Sequence, residues 1–130
     1  MILLDTHVVV WLLTSPDRIA KAAEEAIAAW GVGGRRPAVS SATVFEIAYG
    51  ASRGRIRLHV TEAGFLDRLR ATFDLRPITE AITFKAGMLP DHFHGDPMDR
   101  IVAATAIVED CVLLTIDARI RGSGVCKTLW

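Results

Sequence analysis

The sequence predicts an α/β fold, a largely parallel sheet with helices on both faces. Three observations carry that expectation. Short apolar runs end abruptly in an acid, as in Ile2-Leu3-Leu4 before Asp5 and Val112–Ile116 before Asp117. Such runs suit strands buried on both faces. Stretches with apolar residues at helical spacing alternate with them, which is the pattern of β–α–β units. Right-handed crossovers then put helices on both sides of the sheet.

In chain order, Ile2–Leu4 reads as the first strand. Val8–Leu13 is ambiguous, since its valines favour a strand while its spacing also fits a buried helix. Arg18–Trp30 is alanine-rich with Ile19, Ala22, Ala23, Ala26, Ile27 and Trp30 at helical spacing, and reads as a helix. Gly31–Gly34 followed by Arg35, Arg36 and Pro37 is the clearest break. Ala38-Val39 is a short strand, with Ser40 or Ser41 as N-cap of a helix reaching about Tyr49, ended by Gly50 and Gly54. Thr61–Thr72 is helical, Leu75–Ile78 a strand, and Glu80–Leu89 a helix stopped by Pro90. Asp96-Pro97 is an N-cap with proline at the first helical position, opening a helix to about Glu109. Val112–Ile116 and Val125–Leu129 supply the remaining strands.

The 130 residues suit one domain spanning 1–130, long enough for a substantial core. The composition is 51% hydrophobic and the mean hydropathy is +0.31, yet no apolar stretch has the length of a membrane helix. The apolar surplus points to a buried sheet or an oligomer interface. The N-terminal residues show no basic region or cleavage site of a secretory signal, and two cysteines, Cys111 and Cys126, make no disulfide framework; a cytoplasmic protein with free thiols is the expectation. Fifteen basic residues balance fifteen acidic ones. Any polyanion must therefore meet a local patch, and Arg35, Arg36, Arg53, Arg55 and Arg57 are the crowded candidates.

In a parallel sheet, ligands bind beyond the carboxyl ends of the strands. Asp5 and Asp117 each follow a strand. Glu46 is early in the helix after Ala38-Val39, and Asp99 is third in the helix opened by Asp96-Pro97. If both helices start at that edge, four acids meet there. Gathered carboxylates repel one another, and a hard divalent cation with oxygen preference reverses that penalty. Such a cation lowers the pKa of a bound water and stabilises a leaving oxygen, so phosphodiester hydrolysis is the chemistry that fits best. Each acid also has a purely local explanation. Asp5 and Asp117 could be caps, Glu46 could close a capping box with Thr43, and Asp99 could complement a helix dipole. His7, His59, His92 and His94 read as packing or hydrogen-bonding residues, because no third nitrogen or sulfur ligand stands at a recognised spacing.

Leu3-Leu4-Asp5-Thr6-His7 with Trp11, Phe45-Glu46-Ile47-Ala48, Gly54–Leu58, Phe93–Arg100 and Leu114–Asp117 resemble the PIN-domain ribonucleases, most of all the VapC-type toxins of bacterial toxin–antitoxin pairs. The likeness runs in order through essentially the whole chain. Its most specific piece is His94–Arg100 with Ala103–Ala106 behind it. The resemblance implies a single PIN domain over 1–130, a three-layer α/β/α sandwich around a mainly parallel sheet of about five strands, with Val8–Leu13 helical. It implies Asp5 and Asp99 as primary ligands of Mg²⁺ or Mn²⁺, Glu46 and Asp117 completing the acidic pocket, and Thr6, Asp96 and Thr115 as a second ring. It implies RNA cleavage, a homodimer and a cognate VapB-type antitoxin able to push a basic side chain into the acids. Arg53, Arg55, Arg57 and Arg100 are the candidate RNA contacts. Phe45 stands where this branch commonly has tryptophan. Two other readings compete: an aspartyl-phosphate phosphatase, weakened because His7 sits where its second aspartate belongs, and a catalytically inactive PIN-like binding module.

Overall fold

Residues Ile2–Leu4 (β1) leave the centre of the sheet with all three side chains buried, and the next residue caps a helix. The computed structural model describes every residue from Met1 to Trp130. Strands β1, β2 (Ala38–Ser40), β3 (Asp74–Arg76), β4 (Val112–Leu114) and β5 (Thr128–Leu129) form one sheet in the order β3-β2-β1-β4-β5. Every pairing is parallel, with Leu4 opposite Val39 on one side and Leu114 on the other. Seven α-helices connect them: α1 (Thr6–Thr14), α2 (Lys21–Gly31), α3 (Ser41–Ser52), α4 (Glu62–Thr72), α5 (Glu80–Gly87), α6 (Pro97–Val108) and α7 (Ala118–Ser123).

The strands' alternation divides the core in two. Ile2, Leu4, Val39 and Leu114 pack with Val8, Val9, Ile47, Phe65 and Leu69 on one face. Leu3, Ala38 and Leu113 pack with Phe93, Val102, Ala103, Ala106 and Ile120 on the other. Two cores on opposite faces make the three-layer sandwich. Each fully buried leucine or valine contributes roughly 1.5–3 kcal/mol. No helix is long and apolar enough to cross a membrane.

Several boundaries differ from the sequence expectation. Val8–Leu13 lies within α1, because β1 ends at Leu4 and the Asp5 side chain accepts from the Thr6 amide. The second helix begins at Lys21; Pro16–Arg18 forms a separate 3₁₀ turn. Helix α3 passes through Gly50 and ends at Ser52. A Cβ on Gly50 would fall 2.8 Å from Ile56 Cδ1, so that glycine makes room for the returning chain instead of ending the helix. Strand β3 starts at Asp74, and β4 stops at Leu114, so Asp117 is the third residue beyond it and caps α7. Helix α5 ends at Gly87, well short of Pro90, and the last strand is confined to Thr128–Leu129.

The chain moves outward from β1 to β2 and β3, then returns through α5 and α6 to β4 on the opposite side of β1. The order reverses between β1 and β4, and a crevice opens at such a switch point.

Candidate active site

Asp5 emerges from β1 into that crevice and is only 3% exposed. Its amide donates to the Leu114 carbonyl at 3.0 Å, which ties it to the end of β4. Its Oδ1 accepts from the Thr6 amide at 2.7 Å, and its Oδ2 from Thr115 Oγ1 at 2.6 Å. Thr115 Oγ1 in turn accepts from the Asp117 amide at 3.0 Å. On the other flank Thr6 Oγ1 donates to Glu46 Oε2, with Thr43 Oγ1 3.2 Å away. One string of contacts therefore links Glu46, Thr6, Asp5, Thr115 and Asp117 across three elements.

The local explanation for Glu46 loses its force here, while Asp99 keeps its place in the first turn of α6 and also reaches the site. Ser40 caps α3, accepting from the Ala42 amide at 3.2 Å, so Glu46 is free of any capping box. Burial holds its carboxyl above the usual range; the Thr6 hydrogen bond opposes this, and the charges of Asp5 and Asp96 add to it. Asp96 caps α6, accepting from Met98 and Asp99 amides at 2.9 and 3.2 Å. That leaves the Asp99 carboxylate to point into the site. Burial pushes its pKa up to about 7, helped by the charges of Asp5, Asp96, Glu46 and Asp117. All five acids thus bear on one place. Asp117 both caps α7, accepting from the Arg119 amide at 2.7 Å, and joins the cluster.

Two residues enter that the sequence reading did not assign to the site. Arg119 Nη2 lies 2.7 Å from Asp117 Oδ2 and 3.7 Å from Asp99 Oδ2. This guanidinium holds the Asp117 carboxyl down at about 2. His94 stacks on Phe93 with centroids 4.7 Å apart, and its Nε2 approaches Asp99 Oδ2 to 3.4 Å. Ligand atoms of His94, Asp99 and Asp117 all lie within 4.8 Å of one another. Both His94 ring nitrogens are buried without a hydrogen-bond partner. The available signals were Arg119's place in the first turn after Asp117 and His94's place just before Gly95-Asp96-Pro97.

The arginines divide. Arg55 lines a cleft of about 380 Å³ with Glu46 and Asp96, whereas Arg57 lines a separate apolar cleft beside Val10 and Phe65. Arg100 is turned inward. Its guanidinium donates to the carbonyls of Ala86, Leu89, Phe93 and His94 at 3.0, 2.8, 3.2 and 3.4 Å. The expectation that Arg100 contacts RNA is corrected, because its donors are committed to backbone within the fold.

Residues 2–122 match the model of the PIN domain. The chain belongs to that family. The PIN domain is 36% identical over 120 residues to Ribonuclease VapC22 of Mycobacterium tuberculosis, covering 92% of this chain and 89% of the relative. Its fold matches VapBC2 from Rickettsia felis bound to a promoter DNA fragment (TM-score 0.74, 19% identity, covering 99% and 98% of the two chains). It also matches DNA-bound VapBC from Salmonella typhimurium (TM-score 0.73, 15% identity, covering 98% and 96%) and a toxin–antitoxin complex from Klebsiella pneumoniae (TM-score 0.70, 21% identity, covering 100% and 97%).

The donors of this PIN domain fit a hard cation. The site offers carboxylate oxygens from four elements, and the cation paired with Asp99 and Asp117, Arg119, comes from a side chain that is 64% exposed. Mg²⁺ and Mn²⁺ prefer such oxygen donors.

Proposed function

We propose that this chain is a divalent-metal-dependent endoribonuclease, the toxin of a toxin–antitoxin pair, acting in the cytoplasm. The observation that carries the reading is the convergence of Asp5, Glu46, Asp99 and Asp117 at the switch point of the sheet. The ribonuclease relative supports RNA as the substrate, and the VapBC complexes among the structural neighbours support a VapB-type antitoxin. Exposed apolar side chains such as Val32, Phe84 and Met88 are consistent with burial in a homodimer or under that antitoxin.

Asp5 and Asp99 would hold Mg²⁺ or Mn²⁺, with Glu46 and Asp117 completing the pocket directly or through water. When bound, the cation supplies an acidified water and charge stabilisation for the leaving oxygen. The protein's own part is positioning. Thr115 and the Thr6 amide fix both oxygens of Asp5, Thr6 Oγ1 fixes Glu46, and Asp96 sets the start of α6 so that Asp99 faces inward. A serviceable site needs such supporting contacts. His94 flanks Asp99, its Nε2 3.4 Å from Asp99 Oδ2.

Purified chain is expected to cleave single-stranded RNA with Mg²⁺ or Mn²⁺ and to stop in excess chelator. Asp5→Asn and Asp99→Asn are each expected to lower cleavage by at least about a hundredfold while circular dichroism stays native. Full activity in either variant, or in chelator, would overturn the reading. Cation binding without cleavage of any RNA offered would favour the inactive binding module.

A further inference from the structure

The outer face of α3 carries two aromatic rings at the mouth of the acidic cleft. Phe45 is 56% and Tyr49 44% exposed. One turn apart, they stack at 5.9 Å between centroids and 9° between planes. The guanidinium carbons of Arg53 and Arg55 lie 5.1 and 6.0 Å from the Tyr49 centroid. Phe45, Tyr49 and Arg55 line the same cleft as Glu46 and Asp96, so the rings, the cation and the acids share one continuous surface.

The two rings stack on each other with guanidinium groups over Tyr49, so the pair is an aromatic stack carrying positive charge, with the more exposed Phe45 open to a further ring. Unpaired bases stack on such surfaces whatever their identity, while guanidinium groups meet the phosphates between them. In duplex RNA the base faces are already covered, so the surface selects single strands. We propose that Phe45 and Tyr49 are a base-stacking platform which, with Arg53 and Arg55, seats an unpaired nucleotide beside the scissile bond. The proposal rests on the ribonuclease reading for its substrate. Charge favours RNA as the occupant: the net charge of the chain is zero, and Arg53 and Arg55 provide a local positive edge where the acidic cleft would otherwise repel phosphate.

The test uses the full chain carrying Asp5→Asn, to prevent turnover, and a labelled single-stranded oligoribonucleotide followed by fluorescence anisotropy. Stacking is worth about 5- to 150-fold in affinity per base. Phe45→Ala with Tyr49→Ala is therefore expected to weaken binding by about tenfold or more, with an unchanged thermal midpoint. Phe45→Trp is expected to keep the affinity and to add a tryptophan signal quenched by the oligonucleotide. Arg55→Gln is expected to flatten the salt dependence of binding. Unchanged affinity in the double alanine variant, an equal loss for a duplex of the same sequence, or no oligonucleotide binding at all overturns the platform. So does loss of a dimer in sedimentation upon substitution, which would assign the rings to a contact between copies. Cleavage by the intact chain, with normal binding by the double variant, removes the platform and leaves the nuclease reading standing. Ring-dependent binding without any cleavage does the reverse.

Discussion

Asp99 carries a pKa of about 7 where an ordinary aspartate has 3.8, first because it is buried and then because Asp5, Asp96, Glu46 and Asp117 face it. A folded-state value above the unfolded one means the native chain holds more protons between about pH 4 and pH 7. Stability of the metal-free protein therefore falls as pH rises through that window, by an amount on the order of a few kcal/mol. Asp117, held at about 2 by Arg119, acts in the opposite sense and only below about pH 4. The thermal midpoint in chelator is expected to drop between about pH 5 and pH 7, and Asp99→Asn is expected to remove most of that slope. A flat profile in the parent chain would separate Asp99 from the cluster. Asp5, Asp99 and Asp117 were legible as candidates in the sequence because each follows a strand or stands in a first helical turn, and Glu46 because it lies in the first half of the helix after β2. His94 and Arg119 were not, since a lone histidine beside phenylalanine and an arginine in a first turn have ordinary local roles. Only packing brings them to Asp99.

At the scale of elements, the segment between α5 and α6 has no regular structure of its own, yet it delivers both His94 and Asp96. Arg100 holds it, reaching from α6 to carbonyls at the end of α5 and along the segment. Charge-assisted hydrogen bonds of this kind are worth roughly 1.5–3 kcal/mol, with the larger part lost when buried carbonyls are left unpaired. Arg100→Ala is expected to lower stability by about 2–4 kcal/mol in urea unfolding. Arg100→Lys is expected to recover little, since one ammonium cannot span the fork. A loss below about 0.5 kcal/mol would deny Arg100 its bracing role. The sequence showed the cap and proline that start α6, because those are local chemistry. It could not show the brace, whose acceptors are carbonyls that every residue possesses. The valines after Asp5 were ambiguous for a related reason: their branched side chains favour strand, and it is the capping Asp5 carboxylate, fixed to β4, that commits them to helix.

At the scale of the whole molecule, the parallel sheet sets every strand's carboxyl end on one edge, and the reversal of order between β1 and β4 opens that edge. Alternating helices and strands foretold this architecture; the strand order, and the two-helix return that brings Asp99 from beyond β3, lie in long-range pairing that no local pattern encodes. The same architecture collects negative charge from the β1–α1 junction, α3, α6 and the β4–α7 turn in one half-buried place, so folding the metal-free chain must overcome that repulsion. A divalent cation binding the folded state alone stabilises it by mass action, about 2.7 kcal/mol at a hundred times its Kd. For a domain of this size each kcal/mol moves the thermal midpoint by about 3–6 °C, so saturating Mn²⁺ or Mg²⁺ is expected to raise it by roughly 10 °C. Asp5→Asn is expected to cut that rise to a small fraction. The variant's own midpoint in chelator should equal or exceed the parent's, provided the Asn side chain keeps the bonds to Thr6 and Thr115. If cations left the parent's midpoint unmoved, the gathered acids would have to be balanced by protons and by the chain's own cationic side chains, Arg119 first among them, and the site would take no divalent ligand.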